Sequence, residues 1–249
     1  MQAYLTLTRR ELGSFFYSWI GYVVITGAMF LMGLEFVTLV KKLQGEPTAI
    51  PLTEIFLSFC FWVIVLFSAP IITMRLFSLE KYSGTFETLM TTPVSDWQVV
   101  LAKFTASMIF YMLMWLPFAA CVLVLRYFAR GSNLLDPGTL GSTYVGIFLI
   151  GCLYMAAGCF ASSLTKSQIV AAMISFAIGL GFFLTGFMAD PMALERGWVE
   201  EVINCVNVVG QMKDFASGVV DTRAIVFCAT SSLFFLFLTC RVLESRRWK

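Results

Sequence analysis

Six stretches of mostly apolar residues, each about 20 or more residues long, restrict the fold of this chain more than any other feature. A run of that length crosses the hydrocarbon core of a bilayer as an α-helix, because a helix bonds all of its backbone N–H and C=O groups internally. Only 13% of the residues are charged, against about 25% in soluble domains. We therefore predict an all-α integral membrane protein, a single domain over 1–249, with spans at about 19–40, 52–76, 99–125, 140–164, 169–188 and 224–243.

The residue types present exclude several classes of enzyme. The sequence has no histidine, so it holds no H-E-x-x-H metal site, no Ser-His dyad and no His-ligated haem. It also lacks the G-x-x-x-x-G-K-[ST] loop that binds the phosphates of ATP. Its seven cysteines form no C-x-x-C pair and mostly lie in apolar runs, where cysteine behaves as a small hydrophobe. We expect no catalytic residue, no metal site and no cofactor on this chain.

Two segments outside the predicted spans have an amphipathic pattern. Residues 3–17 mix apolar side chains with a charged cluster, which suits a helix lying in the membrane interface. Within 190–222, apolar residues recur at helical spacing from Trp198 to Met212, with acids and asparagines between them. That pattern predicts a surface or re-entrant amphipathic helix before the last span.

The distribution of lysine and arginine predicts the orientation of the spans. Six spans place both termini and the connections at 77–98 and 165–168 on one side, which carries ten of these residues against seven on the other. Short loops rich in Lys and Arg remain cytoplasmic. We therefore predict that both termini and both of these connections are cytoplasmic.

A polar insert at 78–98 separates the second and third apolar runs and has helix signals at both ends. Gly84 suits the N-cap of a short helix, and Glu87 three residues later is favourable in its first turn. Pro93 restricts the residue before it, so this helix has about two turns. The third run then opens with the S-x-x-Q spacing of a capping box at 95–98.

The short helix has a narrow apolar face. Phe86, Leu89 and Met90 fall at i, i+3 and i+4. A two-turn helix is marginal in isolation, so this face needs a partner, and the nearby acids Glu80 and Glu87 favour a protein groove over lipid headgroups. An ordinary helical loop in the cytoplasm is the alternative.

The fourth and fifth runs are separated only by 165–168, which predicts a tight antiparallel hairpin. Both runs contain small residues four apart, a spacing that lets helix backbones approach closely in lipid. The pairs are Ala157 with Ala161, Gly158 with Ser162, and Ala177 with Gly181.

Two charged residues lie within or at the edge of apolar runs. Glu35 is inside the first run, and a carboxylate at that depth is a candidate functional charge. Because Glu35 is close to Val40 and the end of the run, an interfacial or ion-paired structural position is favoured over a functional one. Arg75 marks the cytoplasmic end of the second run, where a long cationic side chain anchors the helix by reaching toward the headgroups.

Several segments, spread over nearly the whole chain, resemble the permease subunits of ABC-2 type transporters, in the bacterial branch that includes gliding-motility and NosY-like permeases. The most specific is EKYSGTFETLMTTPVS at 80–95. The supporting segments are RREL at 9–12, LTKSQIVA at 164–171, DFASGVVDTR at 214–223 and RVLESRRW at 241–248. The chain departs from the pattern at Trp19, where a proline is usual.

The resemblance implies a role for each segment outside the spans. Residues 3–17 would be the elbow helix, 84–92 the coupling helix seated in a cleft of a separate ABC ATPase subunit, and 190–222 the extracytoplasmic re-entrant segment. ATP and Mg would bind that partner ATPase. The implied coupling residues are Glu80, Gly84, Thr85, Phe86, Glu87, Leu89, Met90 and Pro93.

The implied function is that of a permease subunit, in an exporter of the bacterial inner membrane, without enzymatic activity of its own. Its partners would be the ATPase, a second permease chain (identical or a close homologue), membrane lipid and an extracytoplasmic accessory protein, with no nucleic acid. The alternative is a non-transporting scaffold that transmits ATPase force to extracytoplasmic machinery through 190–222.

Overall fold

The computed structural model of the chain describes residues 2–43, 59–85, 95–128, 137–188 and 205–247. All the regular elements that we number in these ranges are α-helices, which confirms the all-α prediction for this part of the chain. In order they are α1 (Gln2–Phe16), α2 (Trp19–Leu43), α3 (Phe59–Thr73), α4 (Ser78–Ser83), α5 (Asp96–Met114), α6 (Leu116–Phe128), α7 (Pro137–Leu164), α8 (Gln168–Met188), α9 (Val208–Ala216) and α10 (Thr222–Arg247).

Six helical stretches of the described residues are long and apolar enough to cross a membrane, with mean hydropathy from 1.9 to 2.1. Their number and order agree with the six predicted spans. A helix also occupies the predicted position 3–17, as α1, and its role as an elbow stays a prediction. The six stretches are Trp19–Thr38, Phe59–Ser83, Asp96–Val124, Gly138–Leu164, Gln168–Gly186 and Thr222–Ser245.

The second span continues further than the sequence indicated. It was expected to end at 76, yet α3 passes through a turn at 74–77 into α4, and α4 ends at Gly84, whose φ is 73°. Glycine adopts this left-handed conformation without a Cβ clash and commonly terminates helices. Gly84 is thus the C-cap of α4, a role that the sequence did not predict, and its predicted role as the N-cap of the next helix stays a prediction. Residues 86–94, with most of the predicted coupling helix, lie outside the described residues.

The third span consists of two helices that meet at Trp115. The N–H of Trp115 bonds to the carbonyl of Met112 at 3.2 Å, three residues back instead of four. Pro117 has no N–H to bond to the carbonyl of Leu113, so the regular helical ladder is interrupted there. The internal proline therefore divides the span into α5 and α6.

The start of the third span agrees with the sequence in position but not in bonding. Ser95 has the extended backbone of an N-cap residue, with φ −72° and ψ 146°, and its carbonyl accepts from the N–H of Gln98 at 2.9 Å. Its hydroxyl makes no capping hydrogen bond. The capping box predicted at 95–98 is therefore present as a helix boundary, without the side-chain bond.

Helix α7 lies at the centre of the bundle and contacts α3, α5, α8, α9 and α10. Its glycines allow close approach: a Cβ on Gly158 would lie 2.1 Å from Thr73 Oγ1, and one on Gly151 would lie 2.4 Å from a ring carbon of Tyr111. Because lipid provides no hydrophobic drive for helix association, such packing is a main source of stability. The small pairs predicted on this helix are buried, as expected.

The small pair predicted on α8 does not pack in the same way. Ala177 and Gly181 are exposed, and no neighbouring heavy atom lies within 4 Å of a Cβ placed on Gly181. Instead, Gly179 faces α7, where its Cβ would lie 2.9 Å from Tyr154. Residues two positions apart on an α-helix point in directions about 200° apart. When Gly179 faces α7, Ala177 and Gly181 therefore face away from it.

Replacing Gly158 with alanine should destabilise the bundle by about 1–3 kcal/mol, because the added methyl would overlap the buried and β-branched Thr73. Gly181→Ala adds the same methyl group into open space and should leave stability unchanged or slightly raised. Thermal unfolding of the purified chains, followed by tryptophan fluorescence, measures the difference. Equal melting temperatures for the two variants would contradict the central packing of α7.

Candidate functional site

Four charged side chains meet where the polar insert leaves the second span. Arg10 and Glu11 come from α1, Glu80 from α4 and Lys103 from α5, and we call these four residues the charged junction. Lys103 Nζ lies 3.0 Å from Glu11 Oε1 and 2.9 Å from Glu80 Oε1. Arg10 Nη2 lies 3.1 Å and 3.2 Å from the same two oxygens. Two cations thus share two carboxylates, and the formal charge of the junction is zero.

Burial makes the lysine dependent on its two partners. The Lys103 side chain is only 3% exposed, whereas that of Arg10 is 58% exposed. An ammonium group transferred from water into an apolar interior is costly unless it is paired and hydrogen-bonded. The ring of Phe77 lies 5.5 Å from the ammonium and adds a cation–π contact. Lys103 therefore holds α1 and α4 against α5.

The packing of α1 along α5 brings Glu11 to this position. Tyr4 Oη donates to Thr105 Oγ1 at 2.9 Å, and the rings of Phe15 and Phe110 stack 5.0 Å apart. Glu11 lies between Tyr4 and Phe15 on α1, one helical turn before Phe15. The hydrogen bond of Tyr4 and the ring stacking of Phe15 therefore fix the register in which Glu11 faces α5.

Helix α7 holds the root of the insert from the other side. The hydroxyl of Ser162 accepts from the N–H groups of Phe77 and Ser78, at 3.1 Å and 3.2 Å, and donates to the carbonyl of Met74 at 3.2 Å. It thereby satisfies backbone donors at the start of α4 that have no partner within the helix. The amine of Lys81 donates to the carbonyl of Ser163, near the C-terminus of α7, where the helix dipole favours a cation.

Helix α1 and the end of α10 lie at this same end of the bundle. Helix α1 carries half of the charged junction, and Leu243 near the end of α10 packs in one apolar cluster with Leu76 and Phe77. The hairpin between α7 and α8 directly follows Ser163. The arrangement of six spans is therefore as predicted, and which side of the membrane this end faces stays a prediction.

The structure describes only some of the predicted coupling residues. Glu80 belongs to the charged junction, Gly84 ends α4, and the hydroxyl of the exposed Thr85 lies 2.8 Å from that of Ser83. The remaining predicted coupling residues lie outside the described residues: Phe86, Glu87, Leu89, Met90 and Pro93.

Glu35 lies far from the charged junction, near the opposite end of α2. Its carboxylate is hydrogen-bonded to the Cys60 thiol and to the backbone of Phe61, so it connects α2 with the start of α3. These contacts favour the structural interpretation of Glu35 over a role in a transport path.

Sequence reasoning missed three of the four junction residues as site residues. Lys103 had entered the argument only through the count of cations on each side, and Arg10 and Glu11 only through the charged cluster within 3–17 and the family-like segment at 9–12. The available signal was a single lysine four residues inside the third apolar run, because an ion at that depth requires a counter-ion. Which carboxylates would supply it, from 92 and 23 residues away, could not be deduced from spacing.

Lys103→Met should lower the free energy of unfolding by about 3 kcal/mol, because it leaves two largely buried carboxylates without their main counter-ion. The matched control is Arg241→Met, which breaks the exposed pair of Arg241 with Glu244 and should cost under about 1 kcal/mol. Thermal or denaturant unfolding of the purified chains measures both.

A double variant separates charge pairing from simple loss of packing. Adding Glu80→Gln to Lys103→Met removes one of the stranded charges, so the double variant should be more stable than Lys103→Met alone. Additive losses from the two substitutions would show that the ion pair is not the source of the effect.

A family model described as "ABC-2 family transporter protein" matches residues 51–200, which is more than half of the chain. The matched range contains Glu80, Lys103 and Ser162, and it excludes α1 and α10. No curated protein matched the chain.

Proposed function

Because this chain belongs to the ABC-2 transporter family and is a multi-pass permease component of an ABC transporter, we propose that it forms an exporter with a separate ATPase subunit. In this proposal residues 84–92 are a coupling helix, seated in a cleft of the ATPase that binds ATP and Mg. A second permease chain, identical or closely homologous, completes the transporter in the bacterial inner membrane.

The observation that carries the proposal is the anchoring of α4. Glu80 bonds to Lys103 of α5, and Lys81 bonds to the Ser163 carbonyl of α7, directly before the chain reaches Gly84. A segment that receives force must be attached to the bundle by contacts that resist displacement, since a loose tether would absorb the motion. The anchored α4 meets that requirement for a helix at 84–92.

The charged junction supplies a route from the insert into the spans. A displacement of α4 acts on Lys103 through Glu80, and on Arg10 and Glu11 through the oxygens that the two cations share. Helices α1 and α5 would therefore move with α4. Each cation contacts both carboxylates, and each carboxylate contacts both cations. One pair can therefore break while each buried charge keeps its other partner.

The charge of this end of the bundle supports a cytoplasmic orientation. An excess of Lys and Arg favours the cytoplasm, where an ATPase has access to ATP. The described cations at this end include Arg10, Arg75, Lys81, Lys103, Lys166 and Arg241.

Leu89→Asp should abolish association with the ATPase, because it places a carboxylate in the apolar face formed with Phe86 and Met90. The measurement is co-purification of the ATPase with the tagged permease when both are expressed together. Leu164→Asp is the matched control, since Leu164 is an exposed leucine near the same end of the bundle, and it should leave co-purification intact. Undiminished recovery of the ATPase with Leu89→Asp would refute the assignment of the docking face.

The alternative scaffold function is favoured by the firm attachment of α9. Phe215 packs on Gly146 of α7, where a Cβ would lie 2.9 Å from it, and its carbonyl accepts from the hydroxyl of Ser142 at 2.7 Å. Helix α9, within the segment 190–222, would then be a docking platform for extracytoplasmic machinery, driven from the charged junction through α7.

A photo-crosslinker at Val220 tests this alternative, because that side chain is 50% exposed just after α9. A scaffold should give a crosslink to one soluble extracytoplasmic protein from Val220 and none from Val226, which is 59% exposed within the last span. ATP-dependent export of a substrate without any such crosslink would favour the permease function.

A further inference from the structure

An apolar groove of about 470 Å³ lies between α2 and α3. Its walls consist of α2 residues between 19 and 31, which recur every third or fourth position on one helical face, and α3 residues between 63 and 71. Ser68 provides the one hydroxyl of the wall, and it donates within its own helix to the carbonyl of Val65. Apart from this hydroxyl and the indole N–H of Trp19, the side chains that line the groove are apolar.

Arg75 lies four residues beyond Ile71, the last α3 residue of the groove wall, and it also lines a smaller cavity with Glu11 and Glu80. Its Nη1 donates to the hydroxyl of Ser18 at 2.6 Å, and Ser18 directly precedes Trp19, the first residue of the α2 wall. In the parts of the chain that the structure describes, no carboxylate oxygen lies within 4.0 Å of the guanidinium. A guanidinium has five N–H donors, and the bond to Ser18 uses one of them on a side chain that is half-buried.

Aromatic side chains mark the depth of this end of the groove. Tyr17 is 93% exposed and Trp19 is 88% exposed. Tryptophan and tyrosine concentrate at the level of the lipid headgroups. Arg75 therefore lies at headgroup depth, while the rest of the groove extends into the hydrocarbon region.

We propose that the groove binds one acyl chain of an anionic phospholipid whose headgroup phosphate is held by Arg75. The planar guanidinium matches two phosphate oxygens at once, and the apolar wall matches an acyl chain. The α2 wall covers twelve residue steps, about 18 Å of helix, against about 15 Å for one leaflet of a 30 Å core. The groove thus accommodates a chain of the leaflet on the Arg75 side.

Native mass spectrometry of the purified full-length chain, mixed with equimolar phosphatidylglycerol and phosphatidylcholine of identical acyl chains, tests the headgroup. The wild-type chain should retain phosphatidylglycerol preferentially. Arg75→Gln should lower the bound ratio of phosphatidylglycerol to phosphatidylcholine about fivefold, the effect of one cation near a lipid phosphate. Lys166→Gln removes an exposed cation from the same end of the bundle and should keep the wild-type ratio.

A second pair of variants tests the acyl chain and leaves Arg75 in place. No neighbouring heavy atom lies within 4 Å of a Cβ placed on Gly27, which lines the groove, so the ring of Gly27→Phe should occupy groove volume and reduce retention of both lipids. Gly33→Phe is the matched control, because Gly33 is equally open on the same helix but does not line the groove. It should retain lipid as the wild-type chain does.

Three outcomes would overturn the proposal. Equal retention of the two lipids by the wild-type chain, or equal losses from Arg75→Gln and Lys166→Gln, would remove the headgroup site. Undiminished lipid on Gly27→Phe would remove the acyl-chain site. Disulfide crosslinking of Gly27→Cys between two copies in membranes would show that a second chain fills the groove. None of these outcomes depends on whether residues 84–92 bind an ATPase.

Discussion

The buried ammonium of Lys103 is the interaction on which the arrangement of this end of the bundle depends. Its side chain is 3% exposed, so its charge is stable there only while Glu11 and Glu80 remain within hydrogen-bond distance. Those carboxylates belong to an N-terminal helix and to the root of the polar insert, two elements that are distant from each other in the sequence. Pairing with one lysine therefore joins both elements to α5, and the exposed Arg10 completes the charge balance at the water-facing side.

Close packing of α7 is the second constraint, and it acts at the same place. Where lipid surrounds a bundle, association comes from van der Waals contact and interhelical hydrogen bonds. Gly158 lets α7 approach α3 at Thr73, and one turn later Ser162 bonds to the backbone on both sides of the turn at 74–77. The break between α3 and α4 is thereby stabilised by α7 instead of by water. An apolar contact and a polar one, on the same face of one helix, together orient the root of the insert.

The turn at 74–77 lies between the charged junction and the apolar groove formed by α2 and α3. Arg75 belongs to this turn and borders a cavity of about 210 Å³ whose wall includes Glu11, Glu80 and Lys103. A lipid phosphate on Arg75 would therefore lie beside the ions that hold α4. If lipid binds as proposed, the groove and the root of the insert would share this one short segment.

The sequence by itself determined the all-α class, the six spans, their common polar end and the position of the insert, because bilayer thickness and backbone hydrogen bonding allow few alternatives to apolar runs of this length. It also located the helix boundaries at Ser95 and near Gly84, although it did not predict that Gly84 ends α4. Only the tertiary structure decided which ions pair, that Gly179 and not Gly181 packs against α7, and that α2 and α3 form an apolar groove near Arg75. Those outcomes depend on the rotation and register of helices distant in sequence, which periodicity within one helix does not specify.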